Sequence, residues 1–278
     1  MTKNRNILGH LYMALFLIYL LAPLLVMGGA AFNDSKLPTI FPWKGLTDRW
    51  FIAMWNDGRI WISLRNTLLV ALAVVVISVP IGTAGAILVN SISGRVRSLL
   101  YGLMVAPILI PGVVIGISTL LFWNHLSVGS GLHLSVLGQV SYIASFVMLL
   151  VLARLQSFDQ GLEEAALDLG ASHAQVLWRI LLPHLYPAMG AGAAIAFFQS
   201  IENFNVTLFT RGNADTLTVY VFSKVRSGIT PTINALALLL IVFTLLLALA
   251  FEIRRRRVAA VMAALEAEGR RAEDAGVI

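Results

Sequence analysis

Long uncharged apolar runs, separated by short polar segments, recur from one end of the chain to the other. The longest uncharged stretch covers residues 98–153, and no acidic residue occurs between Asp57 and Asp159. A helix of about 20 mainly apolar residues crosses a hydrocarbon core of roughly 30 Å. Charged residues make up 12% of the chain, whereas soluble domains carry about 25%. The sequence therefore predicts an all-α polytopic membrane protein.

These runs predict six transmembrane helices. The candidate spans are residues 11–32 and 66–94, two spans within 98–153, and residues 180–201 and 227–251. The polar cluster at 124–135 separates the third span from the fourth. Pro80 predicts a kink in the second span, and Pro107 and Pro111 predict a break in the third. The first span is longer than the apolar core of about 7 to 15 residues in a cleavable signal peptide, so we expect an uncleaved anchor.

Basic residues beside the spans predict the orientation in the membrane. Lys3 and Arg5 precede the first span, Arg95 and Arg97 follow the second, and four arginines at 254–257 follow the sixth. Short loops rich in lysine and arginine stay in the cytoplasm, whereas long loops such as 33–65 follow this rule weakly. We therefore expect both termini and the loop 154–183 in the cytoplasm. This topology explains the net charge of +6, and no nucleic-acid partner is expected.

Missing motifs exclude several kinds of chemistry. The chain has no cysteine, which excludes disulfides, thiolate metal sites and a cysteine nucleophile. It has no GxxxxGK(S/T) phosphate loop, so energy must come from another polypeptide or from an ion gradient. Since HExxH and GxSxG motifs are also absent, we expect no catalytic residue, bound metal or cofactor in this chain. A gradient-driven secondary transporter is the alternative, but there is no convincing internal repeat, and Glu202 is the only acid within a span.

A polar segment between the fourth and fifth spans predicts a helical hairpin that suits a soluble partner. Asp159 or Ser157 can cap a first helix that runs to about Leu169. Gly170 fits the position just after that helix, where the backbone needs a positive φ. The first helix is therefore expected to end in a tight turn.

The second hairpin helix is predicted to begin with a capping box. Residues 172–175 read SHAQ, in which the serine and glutamine can satisfy each other's backbone N–H groups. Pro183 and Pro187 are expected to kink or restart this helix at the membrane boundary. A metal site formed by Glu164, Asp168 and His173 is disfavoured, because the histidine lies beyond the predicted helix stop. Without further information, simple solvation would explain the hairpin carboxylates.

The hairpin resembles the EAA loop of binding-protein-dependent ABC transporter permeases. Glu164-Ala165-Ala166 is followed after three residues by Gly170, after nine more by Ile180, and then by Leu182-Pro183. In that family the loop forms coupling helices that dock into a groove of the ATP-binding subunit. The resemblance implies the type I ABC importer permease fold. It also implies that the following residues couple to the ATPase: Glu163, Glu164, Ala165, Ala166, Asp168, Gly170, Ile180 and Pro183.

The same resemblance implies the partners and the organisation of the chain. Two ABC ATPase subunits would bind ATP and magnesium, and a periplasmic substrate-binding protein would deliver cargo. A second permease subunit is expected, as a heterodimer, within a bacterial inner (cytoplasmic) membrane. The chain itself is then a non-catalytic, multi-pass subunit that forms the translocation path. Its expected parts are an N-terminal helix and periplasmic loop at 1–62, a permease core at 63–254 and a cytoplasmic tail at 255–278.

Further segments resemble the spermidine/putrescine subfamily. They are 63–68 (SLRNTL), 106–112 (APILIPG), 225–228 (VRSG) and 233–237 (INALA). That subfamily also contains permeases for iron, phosphonates and opines. Polyamine is the first expectation for the cargo, although Asn203 and Thr232 stand where polyamine permeases are expected to carry carboxylates.

Polar residues at the end of the fifth span are candidates for the translocation path. Glu202 follows 22 uncharged residues, and helical spacing places Gln199 and Asn203 on its side. A carboxylate in the membrane core costs about 2.5 to 3.5 kcal/mol, so Glu202 should face a wet cavity. A position at the outer membrane interface is the alternative. Asn234 in the sixth span either lines the path or hydrogen-bonds a neighbouring helix.

Overall fold

The computed structural model describes residues 2–274, and this part of the chain folds into helices joined by short loops. The helices are α1 (Thr2–Phe32), α2 (Arg49–Asn56), α3 (Gly58–Ser91), α4 (Gly94–Leu109), α5 (Gly112–His125), α6 (Leu132–Leu155), α7 (Gln160–Asp168), α8 (His173–Val176), α9 (Leu182–Ile201), α10 (Asn205–Thr210), α11 (Leu217–Ser227) and α12 (Pro231–Asp274). A π-helical turn, Leu177–Leu181, joins α8 to α9. Within residues 2–274 there is no β-strand.

Five helical segments are long and apolar enough to cross a membrane, and a bent pair brings the number to six if it counts as one span. The five are Gly9–Phe32, Gly58–Ser91, Leu132–Leu155, His173–Ile201 and Pro231–Ala260, and the pair is Gly94–Leu109 with Gly112–His125. The all-α, polytopic fold class is therefore confirmed, and the bent pair lies where the sequence predicted the third span.

The bend between α4 and α5 lies at the predicted proline break. The two helices meet at 103°, so they do not form one straight membrane-crossing helix. Ile110 has an extended backbone (φ −84°, ψ 129°), which is the conformation that a following proline favours. Pro111 then occupies the N-cap position of α5, where its missing N–H leaves no helical hydrogen bond unmade.

Some helices extend beyond the predicted spans or lie between them. Helix α3 begins at Gly58 rather than near Asn66, because the helix extends past the apolar run that sequence hydropathy detects. Helix α2 lies within the segment expected to be a loop at 33–65. Helix α12 runs unbroken from Pro231 to Asp274, so the expected tail continues the last span as one helix. Residues 275–278 of that tail lie outside the described part.

The chain forms two compact units. The larger unit is Gly58–Ser223, and α3, α6 and α9 form its centre. Gly82 of α3 allows a close approach to the backbone of α6, since a β-carbon there would lie 2.6 Å from the carbonyl oxygen of Ala144 and 2.7 Å from Cβ of Val147. Small residues at such contacts let membrane helices pack by close van der Waals contact. Val74, Val147, Met148, Leu185 and Ala196 are among the buried side chains around it.

The smaller unit contains the described residues up to Asp57 together with those from Lys224 onward. Within it α12 packs against α1 and α2. The rings of Phe32 and Phe51 lie 5.0 Å apart and join the end of α1 to α2. An ion pair of 3.4 Å between Lys224 and Asp57 connects the two chain segments of this unit.

Candidate coupling hairpin and translocation cavity

The first hairpin helix, α7, is capped by Asp159. Its Oδ1 accepts a hydrogen bond of 2.9 Å from the backbone N–H of Gly161. The Ser157 hydroxyl, the other candidate cap, donates instead to the carbonyl oxygen of Arg154 at 2.8 Å. The helix thus begins where the sequence indicated, and the carboxylate satisfies one of its free N–H groups.

Gly170 ends α7 in a Schellman turn. Its φ of +84° lies in the left-handed region that glycine adopts without a side-chain clash. The N–H of Gly170 donates to the carbonyl of Leu167 at 2.9 Å, and that of Ala171 donates to the carbonyl of Ala166 at 3.0 Å. These two bonds are the pair that defines the motif, so the turn between the hairpin helices has a fixed geometry.

The second hairpin helix continues into the fifth span. Ser172 and Gln175 form both bonds of the predicted capping box, at 2.8 and 3.3 Å. The helix then widens into the π-helical turn and resumes as α9 with Pro183 in its first turn, where proline is tolerated. Pro187 lies inside α9 without ending it. The expected restart therefore occurs at Leu182, and no loop separates the hairpin from the span.

Most of the predicted coupling residues lie on the surface of this hairpin. Glu164, Ala165, Asp168, Gly170 and Pro183 are exposed, whereas Glu163, Ala166 and Ile180 are half-buried. Within the described residues, the carboxylates of Glu163, Glu164 and Asp168 make no ion pair or hydrogen bond. They are therefore available to solvent or to a partner.

Sequence reasoning missed a concave surface at the hairpin turn. Leu169 is 90% exposed, and it borders a depression of about 270 Å³. The lining residues are Leu169, Gly170, Ala171, Gln175, Val176, Arg179 and Ile180. Leu169, a large apolar residue just before the helix-ending Gly170 on an otherwise polar loop, was the sequence feature that could have indicated this surface.

A cavity of about 540 Å³ opens at the end of the fifth span. Its lining residues are Ile108, Ile110, Gly112, Ile115, Tyr142, Phe146, Gln199, Glu202, Asn203, Phe204 and Asn205. The structure thus brings the three candidates Gln199, Glu202 and Asn203 together, as helical spacing indicated. The bend between α4 and α5 forms the opposite part of the lining, together with α6. Tyr142 and Asn205 were not recognised from the sequence.

Glu202 is the only formal charge among these lining residues. It is exposed and stands at the C-cap of α9. Within residues 2–274 its carboxylate makes no hydrogen bond or ion pair. A carboxylate that has no protein partner and faces a polar cavity is free to bind a cation that enters that cavity.

Hydrogen bonds fix the wall around Glu202. The amide of Asn203 donates to the Tyr142 hydroxyl at 2.5 Å and accepts from the backbone N–H of Val206 at 3.1 Å. Behind this wall, the buried Gln139 accepts from Ser200 at 2.6 Å and donates to Thr207 at 2.9 Å. These bonds connect α9 to α6 and α10, so the cavity wall has a defined shape.

Asn234 belongs to the smaller unit, where it is half-buried in α12. Its place in the translocation path stays a prediction. No cluster of three or more histidine, aspartate or glutamate residues that could hold a metal ion occurs in the described part of the chain.

Comparison with known proteins identifies the family to which the chain belongs. The model of the family described as "Binding-protein-dependent transport system inner membrane component" matches residues 78–261. The chain belongs to this family. The predicted family, the all-α fold and the function of an ABC importer permease subunit are confirmed, and the alternative of a secondary transporter receives no support.

Curated relatives and solved structures agree with this assignment. Putrescine transport system permease protein PotI of Escherichia coli (strain K12) is 33% identical over 232 residues, which cover 80% of this chain and 82% of PotI. Spermidine/putrescine transport system permease protein PotC of the same strain is 28% identical over 246 residues, covering 88% and 92%. A chain in the crystal structure of a bacterial ABC transporter that imports the acidic polysaccharide alginate has the same fold. Its TM-score is 0.72 at 16% identity, over 90% of this chain and 96% of that chain.

Proposed function

We propose that this permease carries small organic cations of the polyamine class across the bacterial inner membrane, with energy from two ABC ATPase subunits. A periplasmic binding protein delivers the cargo, and a second, different permease subunit completes the path. ATP and magnesium bind to the ATPases. The observation that carries the proposed cargo is Glu202, the single and unpaired charge in the cavity lining.

The proposed cargo follows from the chemistry of the cavity. Each ammonium group of a polyamine has several N–H donors and no acceptor. Glu202 provides a negative charge, and Gln199, Asn203, Asn205 and Tyr142 provide further oxygen atoms. An anionic cargo such as a phosphonate would meet a like charge at the same place. The names of PotI and PotC, which refer to putrescine and spermidine, support the same class.

The proposed energy input is the hairpin at residues 154–183, with the loop and both termini in the cytoplasm. Its capping interactions at Asp159 and Ser172 and the Schellman turn at Gly170 give it a fixed shape. The unpaired carboxylates and the exposed Leu169 lie on its surface. Such a rigid, mixed polar and apolar projection suits docking to a soluble protein.

Two substitutions test the two halves of this proposal separately. The permease is reconstituted in proteoliposomes with its ATPase, partner permease and binding protein, and both radiolabelled putrescine uptake and ATP hydrolysis are measured. Glu202→Gln should reduce uptake by about tenfold or more, since a lost charge contact of roughly 1.4 kcal/mol has that effect, while stimulated ATP hydrolysis persists. Glu164→Arg should abolish both uptake and stimulation without affecting membrane insertion.

The matched control is Glu252→Gln, which removes an acid that pairs with Arg255 and Arg256 and does not line the cavity. It should transport like the wild type. Unchanged uptake in Glu202→Gln would refute the cation site, and unchanged uptake in Glu164→Arg would refute coupling through the hairpin. Uptake that survives ATP depletion but collapses with an uncoupler would instead indicate a gradient-driven transporter.

A further inference from the structure

The segment between α1 and α3, residues 33–57, is a folded structure with large apolar side chains on its outside. Phe41 is 83% exposed and Leu46 is 79% exposed, and Leu37 and Ile52 are also exposed. Three of the six tryptophans of the chain, at 43, 50 and 55, lie in this short segment. Aromatic residues concentrate at membrane–water boundaries, where a flat apolar ring with a polar edge is stable.

Asn33 organises this segment from a buried position. Its amide group donates to the carbonyl oxygens of Thr39 at 2.8 Å and Pro42 at 3.2 Å, and its Oδ1 accepts from the N–H of Lys44 at 2.8 Å. The indole of Trp50 donates to the Asn33 carbonyl at 2.9 Å, which connects the loop to α2. The exposed apolar residues are therefore presented by a defined backbone, which argues against an incidental exposure on a loose loop.

Contacts within the smaller unit indicate where residues 33–57 lie relative to the hydrocarbon core of the membrane. A β-carbon on Gly29 would lie 2.9 Å from Cδ1 of Ile40, so the loop touches α1 one turn before its end at Phe32. The apolar part of α1, Gly9–Phe32, has 24 residues and is about 36 Å long at 1.5 Å per residue. Its last turn therefore reaches the edge of a hydrocarbon core of roughly 30 Å, and Phe41, next to Ile40, lies at that level.

We propose that residues 33–57 form a membrane-interface anchor, with Leu37, Phe41, Leu46 and Ile52 inserted at the boundary between lipid headgroups and acyl chains. Exposed apolar side chains also occur along α1, for example Tyr19 and Leu25, and at its end, where Phe32 is exposed. The exposed Lys36 and Lys44 add positive charge where phosphate groups lie. The N-terminal end of the segment follows directly on the apolar part of α1, which holds that end at the bilayer surface.

The absence of cysteine allows a direct test, because each introduced cysteine is the only one in the chain. Phe41→Cys and Leu46→Cys variants of the full-length chain carry a nitroxide label and are reconstituted in phosphatidylcholine–phosphatidylglycerol vesicles. Power-saturation electron paramagnetic resonance then compares collisions with oxygen, which concentrates in lipid, and with a water-soluble nickel chelate. Tyr19→Cys, at the middle of α1, is the lipid reference, and Leu169→Cys, in the polar hairpin, is the water reference. Leu37→Cys and Ile52→Cys provide a second pair if either first variant inserts poorly.

Labels at 41 and 46 should show an oxygen-to-nickel ratio clearly above that at 169 and shifted towards that at 19. A ratio equal to that at 169 would overturn the anchor. If nickel access were then lost on addition of the binding protein, the surface would be a protein docking site instead. Low access to both reagents in the chain reconstituted alone would show that the segment is covered by protein, which also contradicts the proposal.

Discussion

Removal of the Gln139 side-chain amide should destabilise the wall of the cavity beside Glu202 by a measurable amount. Gln139→Met keeps the length of the side chain but removes the bonds to Ser200 and Thr207. A hydrogen bond between membrane helices contributes about 0.6 kcal/mol on average and up to about 1.7 kcal/mol. The loss of two such bonds leaves two buried hydroxyls unsatisfied, so the free energy of unfolding should fall by roughly 1 to 3 kcal/mol.

The free energy of unfolding is measured by titration with sodium dodecyl sulfate in mixed micelles. A double-mutant cycle with Ser200→Ala isolates the bond between α6 and α9, because the two substitutions should then lose less together than the sum of their separate effects. The expected coupling is about 0.6 to 1.7 kcal/mol. Ser141→Ala is the matched control, since Ser141 is exposed and bonds only the Gly138 carbonyl of its own helix, so its effect should stay within about 0.5 kcal/mol.

Strict additivity in this cycle, or a Gln139→Met variant as stable as the wild type, would refute the reasoning. It would mean that packing alone determines how α9 and α10 sit against α6. The hydrogen bonds of Gln139 would then not stabilise the cavity wall.

Three further outcomes are expected. Gly170→Ala should destabilise the hairpin turn by about 1 to 2 kcal/mol, because φ is +84° there, and protease cleavage of the hairpin should become faster while membrane insertion is unchanged. Gly82→Val should lower the yield of folded protein sharply, since its β-carbon would meet the backbone of α6, whereas Gly102→Val has nothing within 4 Å and should be tolerated. Asp215→Asn removes the negative charge that Arg59 and Arg211 share and should lower the free energy of unfolding by about 1 kcal/mol, with an effect that shrinks at high salt in the same titration.

Local features of the hairpin could be predicted from the sequence because each depends on neighbouring residues. Asp159, Gly170 and the Ser172–Gln175 box act over four residues or fewer, and their geometry is dictated by cap and turn chemistry. The proline break before α5 is of the same kind. Its angle of 103° could not be predicted, because it depends on how the two half-helices pack.

Features that depend on residues far apart in the sequence could not be predicted, because neighbouring residues do not determine them. Tyr142 lines the cavity together with Asn203, which lies 61 positions away in the sequence and donates to its hydroxyl. The sequence did not predict the start of α3 at Gly58, because Arg59 and Arg65 interrupt the apolar pattern. In the structure Arg59 binds Asp215, 156 positions later in the sequence. Hydropathy locates the part of a helix that lies in lipid, and it does not predict helical turns that continue outside the lipid.

The unbroken passage from α8 through the π-helical turn into α9 has a mechanical consequence. The 29 residues His173–Ile201 form one strut of roughly 43 Å, with the hairpin turn at one end and Glu202 directly after the other. A displacement of the hairpin would reach the cavity wall without passing through a flexible joint. The widened turn at Leu177–Leu181 interrupts the regular backbone ladder of that helix, as Pro187 does inside α9, so these are the places where an axial displacement could become a rotation.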